Sequence, residues 1–257
     1  TSPQLARRVA AVQGALPALV AAVAAGGAAA APGRLQKAAM YSTAALPYIG
    51  KGGPELVRRV AEEPRVLRAL VATVAAGSAA AAPNLLQRAA ENSALVLGVM
   101  ASTSPELARR VAAAPGALRV LVAAVAAGAA AATCSGVHSA AANSAFVLVH
   151  VANADPELAQ HLAEEPGALP ALVTALAAGG TAAAPDLLQR AAVSIALVLI
   201  AIVSTSPELA WCGWRVAPTL PPAVATAVPE LPCPCSVEGL FASASSIFAR
   251  WLSAQRQ

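Results

Sequence analysis

The sequence predicts an all-α protein, an α-solenoid of five three-helix repeats, and three observations predict it. A proline-led segment recurs five times at a constant spacing of 51 residues. Alanine, the strongest helix former, supplies 72 of the 257 residues. Aromatic residues make up 3% and charged residues 12% of the chain, which excludes a charge-rich disordered chain and argues against an ordinary β-sheet protein.

The recurring segment reads SPELARRV at residues 104–111, and each copy opens one predicted unit. The five units cover residues 2–52, 53–103, 104–154, 155–205 and 206–257. Because no unit of this size can bury its own apolar faces, we expect neighbouring units to stack and cover one another. The whole chain is therefore predicted to be a single repeat array, and its divergent last unit a C-terminal cap.

Three helices are predicted in each unit. The first begins at the Ser/Asp/Gly-Pro-Glu segment, where Ser or Asp caps the helix and proline fits its first turn. The second is apolar and is expected to end at a glycine that recurs in four units: Gly26, Gly77, Gly128 and Gly179. The third opens after Pro32, Pro83 or Pro185 and is apolar nearly all round, which predicts the buried helix of the unit. In unit one, Pro47 and the glycines of residues 50–53 are expected to break that helix early.

The second and third predicted helices carry a family resemblance. The second reads GALPALV at residues 14–20 and 167–173, and the third contains LQRAA at residues 86–90 and 188–192. These segments resemble armadillo repeats, and HEAT-type repeats are a near neighbour of the same pattern. The resemblance covers nearly the whole chain. It implies a right-handed superhelix whose third helices line a concave groove for extended peptides or partner proteins.

Two features depart from the armadillo pattern. The unit has 51 residues, whereas units of this class have about 40–47. The excess falls in an Ala/Gly-rich connector, residues 26–32 in unit one and their equivalents. The position of the family's peptide-binding Asn falls at Leu95 or Val96 in this chain.

Two polar columns on the third helix form the first candidate site. One column holds Lys37, Arg88, Ser139, Arg190 and Phe241, and the other holds Tyr41, Asn92, Asn143, Ser194 and Ser245. Residues four apart share a helix face, so the columns join into one stripe along the array. We expect this partner stripe to contact a partner protein; a merely solvated face is the alternative. Its members are Lys37, Tyr41, Arg88, Asn92, Asn143, Arg190 and Ser194.

Paired arginines on the first helix form the second candidate, a basic ridge of Arg7, Arg8, Arg58, Arg59, Arg109 and Arg110. Such a ridge could bind phosphates or an acidic protein, and a solvated outer face is again the alternative. No aromatic residues are interleaved for base stacking. Residues 1–128 hold 13 basic and 5 acidic side chains, a net +8, whereas residues 129–257 hold 4 and 8, a net −4. This asymmetry indicates two different neighbours or head-to-tail contact between copies, unless it is only drift on a solvated surface.

The sequence contains no recognisable catalytic or metal-binding motif. Cys134 with His138, and Cys233 with Cys235, each resemble half of a metal site, but they lie in different units and zinc takes four ligands. Cys212 is the fourth cysteine, and a disulfide within the last unit is a further alternative. The histidines lack catalytic partners at motif spacing, and no phosphate-binding glycine motif is present. We therefore expect no enzyme, no cofactor, no metal and no small-molecule substrate.

The last unit holds an aromatic patch, Trp211, Trp214 and Trp251, which indicates either a cap or an interface. Residues 120–154 and 191–207 are uncharged but contain Ser, Thr, Asn or His, so we expect no membrane insertion. Four sparse cysteines favour an intracellular location. The predicted function is a scaffold or adaptor within a larger assembly, because so little surface charge suits a covered subunit. The alternative is an RNA-associated helical-repeat protein of an organellar ribosome or RNA-processing complex.

Overall fold

The computed structural model describes residues 3–205, apart from residues 64, 80, 132–134 and 181–184. This part of the chain contains twelve helices and no strand, so the predicted all-α class is confirmed. The predicted fifth unit, the aromatic patch of Trp211, Trp214 and Trp251, and all four cysteines lie outside the described residues.

The three helices predicted for each of the first four units are present. The first helices are α1 (Pro3–Ala11), α4 (Pro54–Glu62), α7 (Pro105–Ala113) and α10 (Pro156–Glu164). The second helices are α2 (Ala15–Gly26), α5 (Val66–Gly77), α8 (Ala117–Ala130) and α11 (Ala168–Gly179). The third helices are α3 (Gly33–Gly50), α6 (Asn84–Thr103), α9 (Ser135–Ala154) and α12 (Asp186–Thr205).

Side-chain caps begin two of the first helices as the sequence predicts. The Ser104 hydroxyl accepts a hydrogen bond from the backbone N–H of Leu107 at 3.2 Å. The Asp155 carboxylate accepts one from the N–H of Glu157 at 3.1 Å. In each case the cap satisfies an amide that the helix itself leaves unpaired.

The second helices begin at a left-handed backbone position. Gly14, Gly116 and Gly167 take φ values of 81°, 71° and 78° there, and glycine adopts them without steric cost. Unit two places Arg65 in the same position at φ 72°, and Arg65 is the one non-glycine residue with positive φ in the described part of the chain. Unit two therefore carries local strain that the other units avoid.

Arg65→Gly is expected to stabilise the chain by about 1 kcal/mol, because it relieves the left-handed strain at the start of α5. The free energy of unfolding in urea measures the effect. The same substitution at Arg68, an exposed position inside α5, should instead cost about 1 kcal/mol through lost helix propensity. A destabilised Arg65→Gly variant would contradict the strain argument.

The second helix ends at its recurring glycine, as predicted, in three of the four described units: α2 at Gly26, α5 at Gly77 and α11 at Gly179, whereas α8 continues past Gly128. None of the four glycines takes a positive φ. A methyl group on Gly77 would overlap the carbonyl oxygen of Leu86 and lie 2.6 Å from the Ala90 side chain. Close approach of the second helix to the backbone of the third therefore requires glycine here, whereas a left-handed C-cap conformation does not.

The third helix of unit one ends early, as predicted, but it ends at the glycines and not at Pro47. Helix α3 continues through Pro47 and ends at Gly50, with 18 residues against 20 in α6, α9 and α12. Pro47 is buried. Tertiary packing of a buried face outweighs the hydrogen bond that proline cannot make.

Equivalent helices of neighbouring units pack against each other. The third helices contact in the order α3, α6, α9, α12, and the second helices in the order α2, α5, α8, α11. Each of α4, α7 and α10 contacts the third helix of its own unit and that of the preceding unit. One continuous cluster of buried apolar side chains extends from Ala10 to Ile202. The core therefore lies between units as well as within them.

Helix α12 is the one helix of the described residues that is long and apolar enough to cross a membrane, and 44% of its apolar window is buried in the protein. Core helices of soluble proteins meet the same criterion. The uncharged residues 120–154 do not form one span, because α8 ends at Ala130 and α9 begins at Ser135.

Candidate functional site

The partner stripe lies along the third helices, which pack side by side. The charged side chains of Lys37, Arg88 and Arg190 are exposed on α3, α6 and α12, and Tyr41 is exposed as well. The remaining members are half-buried: Asn92, Asn143 and Ser194. The structure thus brings the predicted stripe residues onto neighbouring helices.

The asparagines of the partner stripe bridge neighbouring third helices. The Asn143 side-chain amide donates to the backbone carbonyl of Glu91 at 3.1 Å. The Asn92 amide makes the equivalent bond to the carbonyl of Met40 at 3.5 Å. In both pairs the donor lies 52 residues after its acceptor. These amides hold adjacent units in register, and each uses one of its two N–H donors within the chain.

The cations of the partner stripe are not engaged in this way. Lys37, Arg88 and Arg190 make no ion pair or side-chain hydrogen bond to any residue that the structure describes. The acidic residues of the third helices are Glu91, three residues after Arg88, and Asp186, four residues before Arg190, and neither forms an ion pair with these arginines. The stripe therefore presents three exposed cations that form no ion pair with the described residues.

An exposed apolar row, which the sequence analysis missed, runs beside the partner stripe. Leu95 is 37% exposed, Phe146 40% and Leu197 47%. They are spaced by 51 residues, and each lies three residues after Asn92, Asn143 or Ser194. The spacing is visible in the sequence, but a helix that is apolar all round gives no sign of which position faces solvent.

His150 borders the apolar row on α9. Its ring contacts that of Phe146 edge-to-face, with centroids 4.5 Å apart and planes at 79°. Burial lowers the pKa of His150 below its usual value, because a charged imidazole loses hydration there. The ring is therefore neutral at neutral pH and adds no positive charge to this face.

The second arginine of each basic-ridge pair binds the preceding unit. Arg59 donates from Nη2 to the carbonyl of Ala10 at 3.2 Å, and Arg110 donates to the carbonyl of Ala61 at 2.8 Å. Both acceptors lie in the last turn of a first helix, where carbonyls lack a helical partner and the helix dipole favours a cation. These arginines therefore stabilise the contact between consecutive first helices.

The first arginine of each pair is also engaged. Arg7 donates from Nε to the carbonyl of Gly52 at 3.1 Å, just before α4. Arg109 Nε lies 2.9 Å from the Asp155 carboxylate, just before α10. Arg58 pairs with Glu55 of its own helix at 2.8 Å. The basic ridge lies on the first helices as predicted, but five of its six members make contacts inside the chain.

The Asp155 carboxylate, which caps α10 and pairs with Arg109, makes stability depend on pH. The backbone N–H of Glu157, and then Arg109, hold the pKa of the Asp155 carboxyl below its usual value. A carboxyl with a lowered folded-state pKa stabilises the fold fully above the unfolded pKa of about 3.9, and this stabilisation is lost as pH falls through the folded value.

Asp155→Asn is accordingly expected to be less stable than the parent chain at neutral pH, because an Asn cap is neutral and cannot pair with Arg109. The difference should shrink as pH falls below about 4 and disappear once the folded-state carboxyl is also protonated. Urea unfolding at a series of pH values measures this. A difference that is constant over the whole series would show that the charge of Asp155 is not its cause.

Polar side chains at the start of the third helices hold the connectors in place. Gln36 donates to the carbonyl of Ala31 at 2.9 Å, and Gln87 to that of Ala82 at 3.0 Å. His138, the equivalent residue of unit three, is buried, and its Nε2 lies 2.9 Å from the carbonyl oxygen of Ala131. His138 therefore has the same structural role as Gln36 and Gln87 in units one and two.

Two open clefts lie at equivalent joints, between the turns that join first and second helices. The clefts measure about 340 and 610 Å³. Arg59 lines the smaller cleft and Arg110 the larger, and both donate to backbone carbonyls. Glu62 and Glu63 line both clefts, so their lining has mixed charge.

The partner stripe and the apolar row combine exposed cations with exposed large apolar side chains on adjacent helices. No group of three or more His, Cys, Asp or Glu side chains that could hold a metal occurs among the described residues. No family model, curated protein or solved structure matches the chain. The geometry of the third helices is therefore the basis of the functional proposal.

Proposed function

We propose that the chain is an armadillo-like α-solenoid of five units that acts as a non-enzymatic scaffold or adaptor, binding other proteins as a subunit of a larger assembly. The observation that carries this proposal is the exposure of Leu95, Phe146 and Leu197 in one row on packed third helices. Repetitive packing between equivalent helices and the resemblance to armadillo or HEAT-type repeats support the solenoid.

The apolar row supports protein binding because large apolar side chains are unfavourable in water when no partner covers them. Each large apolar side chain removed from water contributes about 1.5–3 kcal/mol, and these three leave over a third of their surface in water. Rows of exposed apolar side chains commonly mark protein interfaces. A partner that covers Leu95, Phe146 and Leu197 would recover that free energy.

The RNA-associated alternative has weaker support. Its only support in the sequence is the basic ridge, and Arg59 and Arg110 of that ridge hold consecutive first helices together. Replacing these arginines would disturb the fold as well as any phosphate contact. Nuclease treatment therefore separates the two functions more cleanly than arginine substitution.

Affinity capture from an extract of the source cells tests the proposal. The full chain is compared with Leu95→Ser/Leu197→Ser, and with a control, Val9→Ser/Val12→Ser, that alters two exposed apolar residues elsewhere. We expect captured proteins that survive nuclease treatment, are retained by the control and are lost from the Leu95/Leu197 variant. Recovery of RNA, with all proteins lost after nuclease, would favour the RNA-associated function instead.

A further inference from the structure

We infer that the third-helix face, formed by the partner stripe and the apolar row together, binds a protein segment with one apolar edge and one acidic edge. This inference rests on the proposed function and names the chemistry of its partner. The apolar edge covers Leu95, Phe146 and Leu197, and the acidic edge pairs with Lys37, Arg88 and Arg190.

The two rows run parallel across the packed third helices. Leu95 follows Arg88 by seven residues, and Leu197 follows Arg190 by seven residues. Seven residues are close to two helical turns, so both members lie on one face, about 10 Å apart along the axis. A segment that crosses the helices can therefore contact both rows, one with each edge.

The exposed cations predict that the partner segment carries negative charge. Arg58 and Arg109 form ion pairs within the chain, whereas Lys37, Arg88 and Arg190 form none with the residues that the structure describes, although Glu91 and Asp186 lie one helical turn from Arg88 and Arg190. Burial disfavours the charged form of His150 beside Phe146. A row of free cations next to an apolar row attracts Asp and Glu and repels basic segments. In unit three the cation column holds the half-buried Ser139, so the charged row is interrupted there.

Selection of peptides from a random displayed library, with the full chain as target, tests the inference. We expect the selected peptides to be enriched in large apolar residues together with Asp and Glu. Their affinity, measured by fluorescence anisotropy on synthetic copies, should fall about tenfold or more when ionic strength rises from about 0.1 M to 1 M.

Charge reversal provides the matched comparison. Arg88→Glu/Arg190→Glu should weaken the selected peptides about tenfold or more, whereas Arg68→Glu/Arg119→Glu, which reverses two exposed charges on the second helices, should leave affinity within about twofold. Leu95→Ser/Leu197→Ser should also weaken binding about tenfold or more. Circular dichroism of each variant establishes that the fold is retained.

The outcomes separate this inference from the function on which it rests. If the peptides need Leu95 and Leu197 but are neutral or basic, the acidic partner is wrong and the scaffold function stands. If affinity is insensitive to Arg88→Glu/Arg190→Glu and also to Leu95→Ser/Leu197→Ser, the third-helix face is not the binding surface and both proposals fail. A selection that enriches no peptide also counts against the inference.

Discussion

Gly77→Ala is expected to destabilise the chain by about 3 kcal/mol or more, because the added methyl group has no space between α5 and α6. Its position overlaps the Leu86 carbonyl oxygen and lies 2.6 Å from the Ala90 side chain. Neither is the flexible end of a long side chain, so the two helices must move apart. Urea unfolding followed by circular dichroism measures the loss.

Gly33→Ala is the matched control for this substitution. Gly33 begins α3. Apart from its chain neighbours and the backbone of its own helix, a methyl group there would have no atom within 4 Å. Because alanine favours helix over glycine, this change should be neutral or stabilise by up to about 1 kcal/mol. Equal losses at Gly33 and Gly77 would refute the close approach of α5 to α6.

Leu97→Ala is expected to cost about 2–5 kcal/mol, because Leu97 is fully buried on α6 and its truncation leaves a cavity. Helix α6 packs against both α3 and α9, so the cavity would open at the centre of the described units. The free energy of unfolding in urea, compared with that of the parent chain, measures the effect.

Leu95→Ala tests the same substitution two residues away on the same helix. Leu95 is partly exposed, and its truncation should cost under about 1 kcal/mol of stability. The scaffold proposal expects this variant to lose partner affinity while keeping its fold, and Leu97→Ala to lose stability first. Equal stability losses at the two positions would mean that Leu95 belongs to the core and is not available to a partner.

The helical class and the starts of the helices could be predicted because they depend on local chemistry. Proline with a Ser or Asp cap begins α7 and α10 at the expected residues. The end of α3 is harder to predict from the sequence, because Pro47 locally disfavours a helix while burial of Pro47 favours continuing the helix. No local rule decides between these effects, since the outcome depends on the neighbouring helices.

The sequence could place the candidate residues on their helices but could not predict their contacts. The four-residue spacing of Arg88 and Asn92 predicts that they share one face of a helix, and both lie on α6. It could not predict that Asn143 would donate to the carbonyl of Glu91, or that Arg110 would reach Ala61. These bonds join residues 52 and 49 positions apart in consecutive units, so only the packed arrangement reveals which polar groups remain available.

The bonds from Asn92 and Asn143 have a consequence for how such a chain can lengthen during evolution. Each donor meets an acceptor at the same offset in the preceding unit. An in-frame duplication of one unit would give the copy both the donor for the unit before it and the acceptor for the unit after it. The array can therefore lengthen by duplication, without the evolution of a new interface between units.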